Sequence, residues 1–203
     1  MSTQTLTELS QYLTFRLVDE TFAIDIGQVQ SVLDFEKVTK VPQTPDFMRG
    51  VINLRGSVVP IVDLKLKFGL GVTEKTVDSC IIIVEILLDG EITIVGALAD
   101  SVKEVIDMEQ DQIEPPPKLG TSINTDFING MGKQDDTFVM ILNLNKIFSE
   151  EELAAVQAAG DIIDKEEEAR EKIAEDVSRQ NVSAAKTKDK SQKTKSKDKK
   201  KKK

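Results

Sequence analysis

Residues 47–68 read FMRGVINLRGSVVPIVDLKLKF, and the chain repeats their pattern 80 positions later. Phe47, Gly50, Val59, Ile61, Leu64 and Phe68 recur as Phe127, Gly130, Val139, Ile141, Leu144 and Phe148. Upstream the echo runs at a spacing of 73, where Val29, Val32, Leu33 and Asp34 recur as Val102, Val105, Ile106 and Asp107. Recurring apolar positions are a packing device, so two copies predict two similar lobes in one body.

Short apolar runs surround this segment. Residues 12–18 and 21–26 read as a hairpin turning at Asp19-Glu20. Residues 80–88 and 91–99, which open the second copy, read as another, with Asp89-Gly90 as a tight-turn signal. Residues 51–54 and 58–62 form a third around Arg55-Gly56-Ser57. Residues 38–41, 102–108 and 137–142 complete the strands. Pro60 lacks a ladder donor, which predicts an edge or a bulge there. Val29, Val32 and Leu33 stand at i, i+3 and i+4, the spacing of one apolar helix turn. Thr44 followed by Pro45 resembles a helix start. Pro115-Pro116-Pro117 predicts an extended strap within residues 110–124. Many short strands with turns between them predict a mainly β fold of two small barrels packed together.

Beyond the β part, Ser149 and Glu152 match a capping box opening a helix over residues 150–159. The expected organisation is a loose terminus at 1–9, a domain at 10–160, a charged helical extension at 161–180 and a disordered tail at 181–203. Residues 182–203 hold 11 lysines and two aspartates, net +9, within a chain whose total is −8, so the rest carries −17. An acidic body with a single Tyr and no Trp argues against specific nucleic-acid binding. The Lys-rich tail is expected to make at most a weak contact with an anionic membrane surface.

The chain has no histidine, which removes Ser-His-Asp and Cys-His catalysis and imidazole metal sites. No metal or other cofactor is expected. Gly69-Leu70-Gly71 and Gly132-Lys133 lack the rest of any phosphate-binding loop. Asp25, Asp63 and Asp100 read as solvated strand-end or turn-capping carboxylates rather than an acid–base pair. Cys80 opens the run CIIIV and reads as a small core residue. The N-terminal segment shows no leader pattern and the longest apolar run is too short to span a bilayer, so a cytoplasmic protein is expected. The equivalent positions Val29, Val32, Leu33 and Val102, Val105, Ile106 either line the junction between lobes or belong to the core.

Several stretches resemble the CheW family of chemotaxis coupling proteins: TFAIDIGQVQSVL (21–33), VTKVPQTPDFMRGVINLRG (38–56), VVPIVDL (58–64), ALADSVKEVI (97–106), IEPPP (113–117) and FINGMG (127–132). The resemblance implies two SH3-like, five-stranded β-barrel subdomains sharing a core. It implies a non-enzymatic adaptor that couples transmembrane chemoreceptors to the histidine kinase CheA within membrane-associated arrays. The receptor's helical hairpin tip would meet Val29, Ser31, Val32, Leu33, Val102 and Val105. Gly50 and Arg55 match positions important for coupling. Val38, Val41, Pro42, Thr44, Val51 and Val59 are the expected contacts for the kinase's regulatory domain. Ser31 departs from the family, in which many members carry an acidic residue there. An adaptor for a chemosensory-type pathway unrelated to motility is the alternative within this class. A small double-barrel enzyme is the alternative outside it.

Overall fold

The computed structural model describes residues 9–88, 90–116, 127–134, 137–149 and 151–152. The strands are β1 (Leu9–Leu17), β2 (Glu20–Asp25), β3 (Val29–Asp34), β4 (Met48–Leu54), β5 (Ser57–Asp63), β6 (Cys80–Leu88), β7 (Glu91–Ala99), β8 (Ser101–Glu109), β9 (Ile128–Gln134) and β10 (Thr137–Leu142). A one-turn helix, α1 (Leu64–Lys67), follows β5. The strands form two five-stranded sheets, ordered β3-β6-β7-β5-β4 and β8-β1-β2-β10-β9.

This order corrects the simplest reading of the repeat. The opening hairpin of each copy sits in the other copy's sheet: β1–β2 joins β8–β10, and β6–β7 joins β3–β5. The lobes are therefore two halves with exchanged hairpins. In each sheet the chain leaving one edge strand crosses to the opposite edge and closes the barrel. Thr39 exchanges two backbone hydrogen bonds with Val51 of β4 (2.9 and 2.8 Å), and Glu114 does the same with Met131 of β9 (2.9 and 2.8 Å).

Each barrel has its own core. Ile52, Val59, Ile61, Ile81, Ile83 and Leu98 fill one, with Leu33 and Val38 packed against them. Tyr12, Ala23, Ile106, Met108, Val139 and Ile141 fill the other. Strand alternation puts Ile82 and Val84 of β6, and Leu13 and Phe15 of β1, on the faces turned away from these cores. All four are nonetheless buried. A face buried outside its own barrel is covered from elsewhere, as a shared core between lobes requires.

The repeated phenylalanines stitch the lobes reciprocally. Phe47 pairs with Phe148 (ring centroids 5.7 Å apart) and Phe68 with Phe127 (4.5 Å), so each copy's first aromatic meets the other copy's second. Phe68 also stacks on Phe22, and Phe22 on Phe15. Such pairs add about 0.5–1.5 kcal/mol each beyond area burial.

Four local expectations need correction. Residues 29–34 form a strand, not a helix turn. Pro60 lies in β5, an interior strand between β7 and β4. It is tolerated because its neighbour Val51 turns both backbone groups toward Thr39, which leaves Pro60's missing donor on the β7 side, one residue before that ladder starts at Ile61. Thr44-Pro45 opens a turn rather than a helix, the Thr44 hydroxyl donating to the Val41 carbonyl and the Met48 N–H to that of Pro45. Residues 38–41 contribute only the single bridge at Thr39 rather than a strand.

Candidate functional site

The outermost strand of each sheet carries the repeated valines, and a β-bulge decides where they point. In β3 the pairs run Val29↔Val84, then Ser31↔Ile83, Val32↔Ile82 and Leu33↔Ile81. Gln30 is the extra residue, so Val29 and Val32 share one face although they are three apart. Without the bulge a spacing of three would put them on opposite faces. In β8 the pairs run Val105↔Leu13 and Val102↔Phe15, with Lys103 and Glu104 opposite Thr14 alone. Val102 and Val105 are thereby brought to one face as well.

On both strands the valine pair lies on the face of Ile82 and Val84 or of Leu13 and Phe15, the buried side outside the barrel. Val32 is 43% and Val105 47% exposed. Each pair joins one exposed valine, Val32 or Val105, to a half-buried one, Val29 or Val102, and forms an apolar margin beside the inter-lobe core that the i, i+3 spacing alone did not separate from core positions. Ser31 and Leu33 fall on the opposite face with Ile83 and Ile81, and Leu33 packs on the barrel core.

Arg55 and Gly56 form the two-residue loop of the β4–β5 hairpin, both at positive φ (57° and 91°), as a type I′ turn requires. Arg55 is exposed. Gly50 has φ 133°, and a Cβ there would lie 2.0 Å from the Thr39 carbonyl oxygen. Its place is explained by the close approach of residues 38–41 to β4.

The barrel end near that segment holds a cavity of about 340 Å³ lined by residues that include Lys40, Val41, Thr44, Arg49 and Leu66. Val41 and Thr44 border it. Val38 is packed on the barrel core, and Val51 and Val59 are each 2% exposed. Val51 and Val59 cannot present side chains to a partner without opening the barrel.

Asp63 is fully buried beneath this end. Its carboxylate accepts from the Arg49 guanidinium (2.8 Å), the Thr73 N–H and hydroxyl (2.9 and 2.7 Å), and the N–H groups of Lys65 and Leu66. Asp25 accepts from the Gly27 N–H, and Asp100 from the Val18 N–H and Lys65 Nζ. All three carboxylates are engaged in turns and caps. Among the described residues no group of three or more Cys, Asp or Glu is placed to hold a metal ion. No described helix is long and apolar enough to cross a membrane. Burial pushes the Cys80 thiol up to about 11, the Val102 backbone hydrogen bond only partly opposing it.

Ser149 and Glu152 form the expected capping box, with Ser149 N–H donating to the Glu152 carboxylate (2.8 Å) and Glu152 N–H to the Ser149 hydroxyl (3.2 Å). Lys67 Nζ reaches the same carboxylate at 2.5 Å and sits 4.8 Å from the Phe47 ring centroid. Burial alone would raise the Glu152 carboxyl, but these hydrogen bonds outweigh it and hold it below its ordinary value. The rest of the expected helix, the strap from Pro117 onward, the extension at 161–180 and the Lys-rich tail lie outside the described residues.

Two hairpin-exchanged five-stranded barrels, with matched apolar valines on one edge strand of each, define a double-barrel β-scaffold. The chain belongs to the CheW-like family, whose domain model matches residues 11–152. It is 35% identical to the chemotaxis protein CheW of Klebsiella aerogenes over 72% of this chain and 86% of that protein. It is 34% identical to the chemotaxis protein CheW of Helicobacter pylori over 71% of this chain and 84% of that one. A crystal structure described as the scaffolding protein TtCheW from Thermoanaerobacter tengcongensis superposes with a TM-score of 0.64 at 39% identity, covering 75% of this chain and 96% of the other.

Proposed function

We propose that the chain is a non-enzymatic chemotaxis adaptor. It couples the helical tip of a chemoreceptor to the regulatory domain of the histidine kinase CheA, at membrane-associated receptor arrays. The observation that carries this reading is the pair of bulged outer strands. They hold exposed Val32 and Val105 beside half-buried Val29 and Val102 as apolar margins, the residue type an amphipathic helix buries in a groove. Family membership supplies the biological setting.

In this reading the valine margins receive the receptor. Ser31 lies on the other face of β3 and carries no receptor charge pair. Arg55 is the exposed coupling residue, whereas Gly50 acts indirectly by letting residues 38–41 lie against β4. The kinase contact falls on Val41, Pro42 and Thr44 at the barrel end, with Val38, Val51 and Val59 supporting it from below. The domain proper spans residues 10–160, and the Lys-rich segment adds an electrostatic attraction to anionic lipid.

Co-sedimentation of the purified protein with a receptor cytoplasmic fragment, with and without the kinase regulatory domain, tests this reading. Binding to both is expected. Binding to neither overturns the adaptor assignment.

A further inference from the structure

We infer that Thr14 is a positioning residue for the partner-binding face of the second lobe, through its hydroxyl rather than its packing. The inference rests on the reading of Val102 and Val105 as receptor contacts.

One residue of β1, Thr14, stands opposite two of β8, and this single mismatch turns Val102 and Val105 to one face. A bulge interrupts the ladder, so the backbone groups of the inserted residue need other partners. Thr14 supplies both. Its hydroxyl donates to the Glu104 carbonyl at 2.7 Å and accepts from the Glu104 N–H at 3.2 Å. The Thr14 side chain is fully buried, at 0% exposure, so its hydroxyl is committed to these two bonds.

The other lobe shows that packing does not demand a hydroxyl. With Val29 matched to Val102 and Val32 to Val105, the residue matching Thr14 is Ile83, which pairs directly with Ser31. An apolar side chain serves there because the extra residue, Gln30, is exposed and its backbone is open to solvent, while its side-chain amide donates to the Glu85 carboxylate at 2.7 Å. In the second lobe, the lock is internal and made by one oxygen. An apolar residue at position 14 would take from the Glu104 N–H and carbonyl the one side chain that holds them in the bulge. Pairing them again through a regular ladder removes the bulge and turns Val105 away from Val102.

The test uses the full chain with Thr14→Val, which keeps the shape, Thr14→Ser, which keeps the hydroxyl, and Thr14→Ala. The readouts are amide hydrogen exchange at Glu104 and Val105 and affinity for a chemoreceptor cytoplasmic fragment. Thr14→Val is expected to speed Glu104 exchange and weaken binding about tenfold or more, the scale of a lost buried hydrogen bond. Thr14→Ser is expected to stay within about threefold of wild type in binding while losing stability with its methyl. If the valine variant does not fold, the serine–alanine pair isolates the same hydroxyl. A folded Thr14→Val with wild-type exchange and affinity overturns the inference, as does a serine variant no better than alanine. If the wild-type chain itself does not bind the fragment, the receptor reading fails, and Glu104 exchange alone decides whether Thr14 holds the bulge.

Discussion

The outer strands β3 and β8 present the same two valines in the same way, yet different chemistry holds each strand in shape. In β8 a buried threonine satisfies the bulge from within, whereas in β3 the extra Gln30 is tied to Glu85 on the exposed side and an isoleucine fills the core beneath. What the two copies retain is the direction of the valines rather than the interactions that set it. The comparison separates a surface geometry common to both lobes from interior solutions particular to each.

Glycine at the barrel closures offers the sharpest way to break the symmetry. A Cβ at Gly50 would overlap the Thr39 backbone at 2.0 Å in a left-handed conformation, while at Gly130 it would meet the Ile113 side chain at 2.4 Å. Backbone cannot rotate aside as a methyl can. Gly50→Ala is therefore expected to destabilise by about 3 kcal/mol or more and Gly130→Ala by about 1–2 kcal/mol, measured by denaturant unfolding. Equal losses would mean that the two closures are equivalent after all.

A smaller effect concerns the Lys67–Glu152 contact, to which Ile147 rather than a lysine corresponds in the second copy. Glu152's folded-state pKa is depressed, so its stabilising contribution is present above the ordinary value of 4.5 and is lost as pH falls through the lower folded value. Glu152→Gln should flatten that part of the stability–pH curve. An unchanged acid slope would remove Glu152 from the account.

The smallest expected effect tests the hairpin exchange. Val77, in the connection between β5 and β6, is 98% exposed. Cleaving the folded full-length chain at a protease site engineered there should leave one compact species by size-exclusion chromatography. Each half supplies strands to both sheets, and closing a loop this short contributes little. Separation of the halves under native conditions would show that the exchanged pairing does not hold the lobes together.

Much of this was legible in the sequence. The repeat gave the doubled architecture, alternation gave most strands, and the Ser149–Glu152 spacing gave a cap that forms as expected. The failures share a cause, because sequence spacing carries periodicity but not partner identity. Val29, Val32 and Leu33 match a helix turn only because a bulged strand also brings i and i+3 together. Pro60 marks an edge unless the adjacent ladder begins one residue later. Nothing local distinguishes a hairpin that stays in its own copy's sheet from one that crosses to the other. Thr14 carries no local signal, because a threonine in a strand is ordinary and its role depends on Glu104, 90 positions away. Gly50 is marked in the sequence only by the family resemblance, and its physical reason lies in Thr39.

The central claim is that the two valine margins form one kind of surface, for the receptor. Methyl-labelled valine spectra of the full chain, titrated with a receptor cytoplasmic fragment, test it most directly. The account predicts that Val29, Val32, Val102 and Val105 shift together while buried Val51 and Val59 do not, and that combining Val32→Lys with Val105→Lys abolishes the response in a protein that still folds. Saturable binding with shifts confined to Val38 and Val41 at the barrel end, the four margin valines unmoved, would contradict it.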